Sequence, residues 1–202
     1  LLSSVLPSHE VALPTSAGPF EDDDGTSSHF DAESMRGKSV NKQLLNITKD
    51  AHLSIIQLSR AVARHTLTVI VGEGQGGLIA VAYSKPKVME RALQTRNVQA
   101  REIRSITQAW ANVRAIVVAA PRMNKQGLHR ERLKIALPDL FNREQELAPL
   151  QVFAVLDRTT LHYNDTKEFI QEVGATVMNT LSDVPLRALV EEPSREVFGH
   201  EG

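Results

Sequence analysis

The chain has 202 residues, which is the length of one domain with room for a sizeable core. Lys and Arg (23) nearly balance Asp and Glu (24), so no overall charge draws the chain to nucleic acid or to a membrane surface. The absence of cysteine excludes a disulfide framework, a thiolate zinc site and a cysteine nucleophile, and no run of apolar residues is long enough to predict a membrane span.

The first 38 residues are rich in Ser, Pro, Gly and Asp and include the acidic run 21–24. Such a segment cannot bury enough apolar surface to offset its ordering entropy, so we expect a disordered acidic arm followed by one domain over 39–202. The arm could dock on a basic protein partner, hold a metal loosely or remain a solvated tail. The chain begins at Leu1 and not at Met, so we expect a processed or excerpted product. Its first residues lack the basic region of a signal peptide. We expect the protein in the cytoplasm or in a particle assembled there.

Apolar residues at steps of three and four predict a long helix from Ser39 to about His65. The elements predicted after it are a strand at 67–71, a glycine-rich loop at 72–77, a helix at 78–83 that Pro86 interrupts, a helix at 98–112, a strand at 115–120, a mostly polar segment at 123–147, a strand at 151–156, a loop at 157–166, a helix ending at Gly174 and a strand at 175–178. This alternation predicts an α/β fold with a mostly parallel central sheet between helical layers, and a ligand site beyond the carboxyl ends of the strands.

The loop at 72–77 has four glycines in six positions, and its candidate ligand-binding residues are Glu73, Gly74, Gln75, Gly76 and Gly77. Glycines allow successive backbone N–H groups to point at one spot, and a helix expected to start at Gly77 adds its positive end, so phosphate or pyrophosphate is the natural guest. The alternative is a tight turn without a ligand. The loop also fits the dinucleotide fingerprint, but no predicted strand leads into Glu90, the acid that would bind ribose.

The loop at 157–166 follows a buried strand and precedes a helix. Its candidate ligand-binding residues are Asp157, Arg158, Thr159, Thr160, Asn164, Asp165 and Thr166. Their hydroxyl, amide and carboxylate groups can bind a sugar diol and a phosphate. Equally, Asn164 or Asp165 could cap the following helix, and Asp157 could cap the end of the strand.

Together these two loops resemble the type I phosphoribosyltransferase family over roughly residues 65–180. The block 152–177 is similar to the diphosphoribosyl-binding region of that family, and the block 69–80 is similar to its pyrophosphate loop. The resemblance implies a phosphoribosyltransferase-like fold in which the glycines hold pyrophosphate, Asp157 contacts the ribose and Thr159, Thr160 and Thr166 bind the 5′-phosphate. An active member would also use Mg²⁺.

Two departures from the family pattern suggest that the chemistry is lost. One of the paired acids is missing, because Asp157 stands between Leu156 and Arg158, and the phosphate turn lacks a glycine. A magnesium-dependent diphosphate substrate normally needs those carboxylates. We therefore predict a degenerate, non-catalytic phosphoribosyltransferase-like domain that binds a phosphate or nucleotide, or serves as a structural module in a larger assembly such as a viral particle.

The alternatives are an active phosphoribosyltransferase using Mg²⁺ and a nucleotide-cofactor enzyme of the Rossmann type. The expected partners are a phosphorylated sugar or nucleotide and proteins that contact the N-terminal arm, with no membrane. Nucleic-acid binding stays open: a basic cluster could face RNA or form a solvated helix face, and its members are Arg122, Lys125, His129, Arg130, Arg132 and Lys134. Neither a Gly-x-Ser-x-Gly motif nor a P-loop lysine occurs.

Overall fold

The structure, a computed structural model, describes residues 20–21, 27–28, 38–65, 68–119, 130–142, 151–157 and 163–180. Two short strands, β1 (Phe20–Glu21) and β2 (Ser27–Ser28), pair antiparallel within the segment predicted to be a disordered arm. None of the described helices is long and apolar enough to cross a membrane.

Helix α1 (Val40–Val62) confirms the first predicted helix. Its apolar positions recur on one face, and Ile47, Ala51 and Ile55 are completely buried. Val40, at the start of the same periodic pattern, is exposed. Ser39 occupies the N-cap position as predicted, although its side chain makes no capping hydrogen bond.

The sheet contains four parallel strands in the order in which they occur along the chain. They are β3 (Thr68–Glu73), β4 (Val113–Ala119), β5 (Gln151–Asp157) and β6 (Thr176–Thr180). Because crossovers between parallel strands are right-handed as a rule, a sheet whose strands follow chain order is expected to carry its connecting helices on one face. The order does not reverse among the described strands, so they do not form the crevice at which doubly wound sheets bind ligands.

Three helices connect β3 to β4: α2 (Gln75–Tyr83), α3 (Pro86–Thr95) and α4 (Ala100–Ala111). Pro86 at the first position of α3 confirms the predicted interruption. Every residue of α2 from Leu78 to Tyr83 is buried, because α2 packs against β3 and β4 on one side and against α1 and α3 on the other. A helix that is apolar all round is the sequence signature of this central position.

Helix α5 (Arg130–Ala136) and a 3₁₀ helix (Pro138–Phe141) precede β5, and helix α6 (Tyr163–Glu172) joins β5 to β6. Phe141 and Phe169 pack edge to face with their ring centroids 5.8 Å apart. Gly174 follows α6 with φ 82°, and the N–H groups of Gly174 and Ala175 donate to the carbonyls of Gln171 and Ile170. This is the glycine-terminated helix end that the sequence predicted.

All the described helices share one hydrophobic core with one face of the sheet. Ile70, Ile116, Val118 and Ala154 contribute to this core from the strands. The α/β class and the parallel sheet are confirmed. A helical layer on the second face, as a three-layer fold requires, is not found among the described elements, and the phosphoribosyltransferase-like topology stays a prediction.

Candidate functional site

The β3–α2 junction is much tighter than the six-residue loop predicted from the sequence. Strand β3 continues through Gly72 to Glu73, and α2 begins at Gln75, two residues before the predicted start at Gly77. Gly74 alone connects them, with φ 57° and ψ −122°, a conformation that favours glycine. The expectation of a wide loop was wrong, because the parallel pairing of Gly72 and Glu73 with β4 extends the strand to the turn.

Gly72 has a packing role that accounts for part of the glycine content. A Cβ at Gly72 would lie 2.7 Å from the carbonyl oxygen of Gly76 and 2.9 Å from the Cα of Gly77. These contacts are with backbone atoms, which cannot move aside without displacing the helix. Glycine at 72 therefore allows the first turn of α2 to approach β3 closely, independently of any ligand.

The turn is fixed to the sheet by a backbone hydrogen bond. The N–H of Gly74 donates to the carbonyl of Ala119, the last residue of β4, at 3.2 Å. This N–H is therefore engaged with the sheet, and the predicted cradle of N–H groups is limited to the first turn of α2. Glycine at the N-cap brings no side-chain acceptor, and the first turn of α2 contains no acidic residue. Neither a capping side chain nor an acidic residue in the first turn therefore offsets the positive end of the α2 dipole.

The predicted residues around Gly74 differ in exposure. Glu73 is exposed, Gln75 and Gly76 are partly exposed, and Gly77 is buried. A ligand at this junction would therefore meet the first turn of α2 through Gln75 and Gly76, with Glu73 beside it. Glu73 carries a negative charge, which would oppose an anion in that direction.

The second predicted loop is also shorter than expected at its helical end. Helix α6 begins at Tyr163, three residues before the predicted start at Thr166. Asn164 and Asp165 are exposed in its first turn, whereas Thr166 is buried, only 5% exposed, on the face that carries Phe169. Exposure therefore favours Asn164 and Asp165 over Thr166 as ligand contacts at this helix end.

Of the remaining predicted residues of this loop, the structure describes only Asp157. Asp157 is the last residue of β5 and pairs with Thr180 of β6. Arg158, Thr159 and Thr160 lie outside the described residues.

The register places the two junctions at the same edge of the sheet. Glu73 is level with Ala119 on β4, and Ala119 is level with Val155 on β5. Strand β4 separates them, so the ends of β3 and β5 lie roughly 10 Å apart across the sheet, and β5 reaches about 7 Å further along the strand direction. Both segments therefore lie at the carboxyl edge of the sheet, as predicted from the sequence, with one strand between them.

The basic residues predicted as a phosphate clamp or an RNA-facing surface have structural partners where they are described. Arg130 pairs with Glu168 at 2.6 Å and with Glu172 at 2.8 Å, and Lys134 lies 3.3 Å from Glu172. These pairs join α5 to α6, and the hydrogen bond that Arg130 donates to Glu168 raises the pKa of Arg130. They favour the solvated, ion-paired alternative over a nucleic-acid surface. Arg122, Lys125 and His129 lie outside the described residues.

Two buried polar side chains away from the sheet edge were missed by the sequence reasoning. His52 on α1 is 5% exposed, and its Nδ1 has no hydrogen-bond partner among the described residues. Burial, and to a lesser extent the charges of Arg96 and Arg91, lower the pKa of His52. Within the part of the chain that the structure describes, the hydroxyl of Tyr83 at the end of α2 also lacks a hydrogen-bond partner, and burial raises its pKa. The helical period would have found His52, because it lies between Ala51 and Ile55 on the buried side of α1.

Within the described ranges, no three His, Cys, Asp or Glu side chains come together as metal ligands would. Comparison with protein-family models, with curated proteins and with solved structures finds no match to this chain. The geometry of the sheet edge is therefore the basis for a functional proposal.

Proposed function

We propose that this chain is a non-catalytic α/β domain that holds a small anionic group, such as the phosphate of a phosphorylated sugar or nucleotide, at the β3–α2 junction. The observation that carries the proposal is the start of α2 one residue after β3, with a glycine N-cap and without an acidic residue in its first turn. The positive end of a helix attracts an anion, and this helix start lies at the carboxyl edge of the sheet.

The absence of a reactive group at this junction supports a binding role. Residues 72–77 offer Glu73 and Gln75 as their polar side chains, and neither is a nucleophile activated by a neighbouring base. The second junction adds Asn164 and Asp165, which can hydrogen-bond a ligand without transferring a group. The chain could then contribute the bound group, or the fold alone, to a larger assembly.

Anion binding at this junction can be tested with a single isosteric change. Gln75→Glu puts a negative charge into the first turn of α2, where it competes with a bound phosphate for the same positive end of the helix. We expect calorimetric titration with ribose 5-phosphate or phosphoribosyl diphosphate to show binding to the native chain, and at least tenfold weaker binding to the variant. Gln108→Glu makes the same chemical change on the exposed side of α4 and serves as the matched control.

The result also distinguishes the main competing function. An active phosphoribosyltransferase would bind phosphoribosyl diphosphate much more tightly with Mg²⁺ than without it, because the metal bridges the diphosphate and protein carboxylates. A passive anion site shows no such requirement. If neither ligand binds the native chain at millimolar concentration, anion binding is disproved and a purely structural role is the interpretation that remains.

The nucleotide-cofactor enzyme is disfavoured by the order of elements. A Rossmann fingerprint needs a second strand directly after the first helix, ending in the acid that binds ribose. Here α2 is followed by α3 and α4 before β4, and Glu90 lies inside α3.

A further inference from the structure

The β3–α2 junction has a backbone geometry with a known chemical use. In a nucleophile elbow, a strand passes into a helix through one residue held in a strained conformation, and that residue presents its side chain at the carboxyl edge of the sheet. The sequence form is Gly-x-Ser-x-Gly, because the residues two before and two after the nucleophile must be small where strand and helix approach.

Each of these requirements is met around Gly74. It is the one residue between β3 and α2, and its φ of 57° and ψ of −122° are strained for any residue with a side chain. Gly72 and Gly76 stand two before and two after it, and a Cβ at Gly72 would lie 2.7 Å from the Gly76 carbonyl oxygen. The segment reads Gly-x-Gly-x-Gly, so a glycine occupies the position of the serine.

We infer that the β3–α2 junction is a nucleophile elbow whose nucleophile position is held by Gly74. The native chain therefore cannot form a covalent intermediate at this position, and a side chain introduced there would project at the carboxyl edge of the sheet as a reactive nucleophile. The backbone at residue 74 has this geometry whether or not the junction binds phosphate.

The cysteine-free sequence makes the test specific, because Gly74→Cys introduces the one thiol of the chain. With p-nitrophenyl acetate, the thiol first loses its proton to the buffer. The thiolate sulfur then attacks the carbonyl carbon, an S–C bond forms, and the C–O bond breaks as p-nitrophenolate leaves with the electron pair. The product is one acetyl group on the protein and one p-nitrophenolate released, measured by intact mass and by absorbance.

Gly174→Cys is the matched control. Gly174 also has a positive φ, so both variants place a side chain where the backbone favours glycine, but Gly174 lies after the C-terminal end of α6, where a thiolate is not stabilised. At pH 7 we expect acetylation of the Gly74→Cys variant to be at least tenfold faster than that of Gly174→Cys, because a helix N-terminus increases the thiolate fraction. The pH dependence of the rate should show a lower thiol pKa in the first variant.

Equal rates and equal thiol pKa values in the two folded variants would overturn the inference. Circular dichroism establishes that both are folded, and Gly74→Ser and Gly74→Ala provide a second check, because an elbow holds a side chain at this position at a tolerable cost. If all three substitutions at residue 74 unfold the domain while Gly174→Cys does not, the junction is a glycine-only turn and the inference is wrong. Phosphate binding by the native chain is measured separately, so either proposal can fail while the other stands.

Discussion

The β3–α2 and β5–α6 junctions both lead the chain from the carboxyl end of a strand into a helix, but they use different amounts of chain. The first uses Gly74 alone, whereas the second uses residues 158–162. The residue before the last in each strand shows the consequence. On β3 it is Gly72, where no Cβ fits, and on β5 it is Leu156, which is 1% exposed. The short connection brings the helix close to the strand and leaves no room for a side chain, whereas the same position on β5 carries a large buried side chain.

The largest expected effect on stability comes from changing the side-chain size at these two positions. Gly72→Ala forces a methyl group against the backbone of Gly76 and should lower the free energy of unfolding by about 2 to 3 kcal/mol. Leu156→Ala makes the opposite change and should cost about 3 kcal/mol through lost burial and a cavity. Chemical denaturation of both variants measures the costs. A Gly72→Ala variant as stable as the native chain would show that α2 can move away from β3. Glycine would then not be required at the β3–α2 junction, and the two junctions would not differ in this respect.

A smaller effect separates backbone strain from steric contact. Gly74→Ala should cost about 1 to 3 kcal/mol, because its φ and ψ lie in a sparsely populated region for residues with a side chain. Gly174→Ala should cost about 1 kcal/mol, since the left-handed helical region is less costly. Thermal unfolding at one scan rate gives both values. A larger cost at 174 than at 74 would mean that the β3–α2 turn relaxes into an ordinary conformation.

Sequence patterns predicted the elements well and the junctions poorly, for a physical reason. Periodicity depends on which side chains are buried, so it identified α1, α6 and the four strands of the sheet, with boundaries displaced by a few residues. The span of a glycine-rich connection depends on how closely two elements pack, which is a tertiary property. The four glycines therefore indicated an open loop, whereas Gly72 and Gly76 in fact serve close contact between strand and helix.

For the candidate site too, the sequence predicted the position along the strands but not the arrangement of the surrounding elements. The sequence placed Gly74 and Asp157 at the carboxyl edge, because strand ends follow from apolar runs, and the register agrees. It could not predict that the strands are ordered sequentially, since strand order depends on which crossovers are closest in space. Thr166 was predicted as a ligand contact, although it lies three residues before Phe169 and four before Ile170, so the helical period indicates the buried position that the structure shows.

The smallest expected effect compares the charge at the two helix starts. Gln75→Glu adds an acid to the first turn of α2, which has none, and should stabilise the domain by about 0.5 kcal/mol at low salt. Asn164→Asp makes the same kind of change in α6, but Asp165 is already there, and the new carboxylate would lie four residues before Glu168, so like-charge repulsion should cancel most of the gain. Denaturation in low and high salt measures both, because screening reduces the benefit at α2. No gain from Gln75→Glu at low salt would mean that the positive end of α2 is already neutralised by another group, and the reason to place an anion there would be lost.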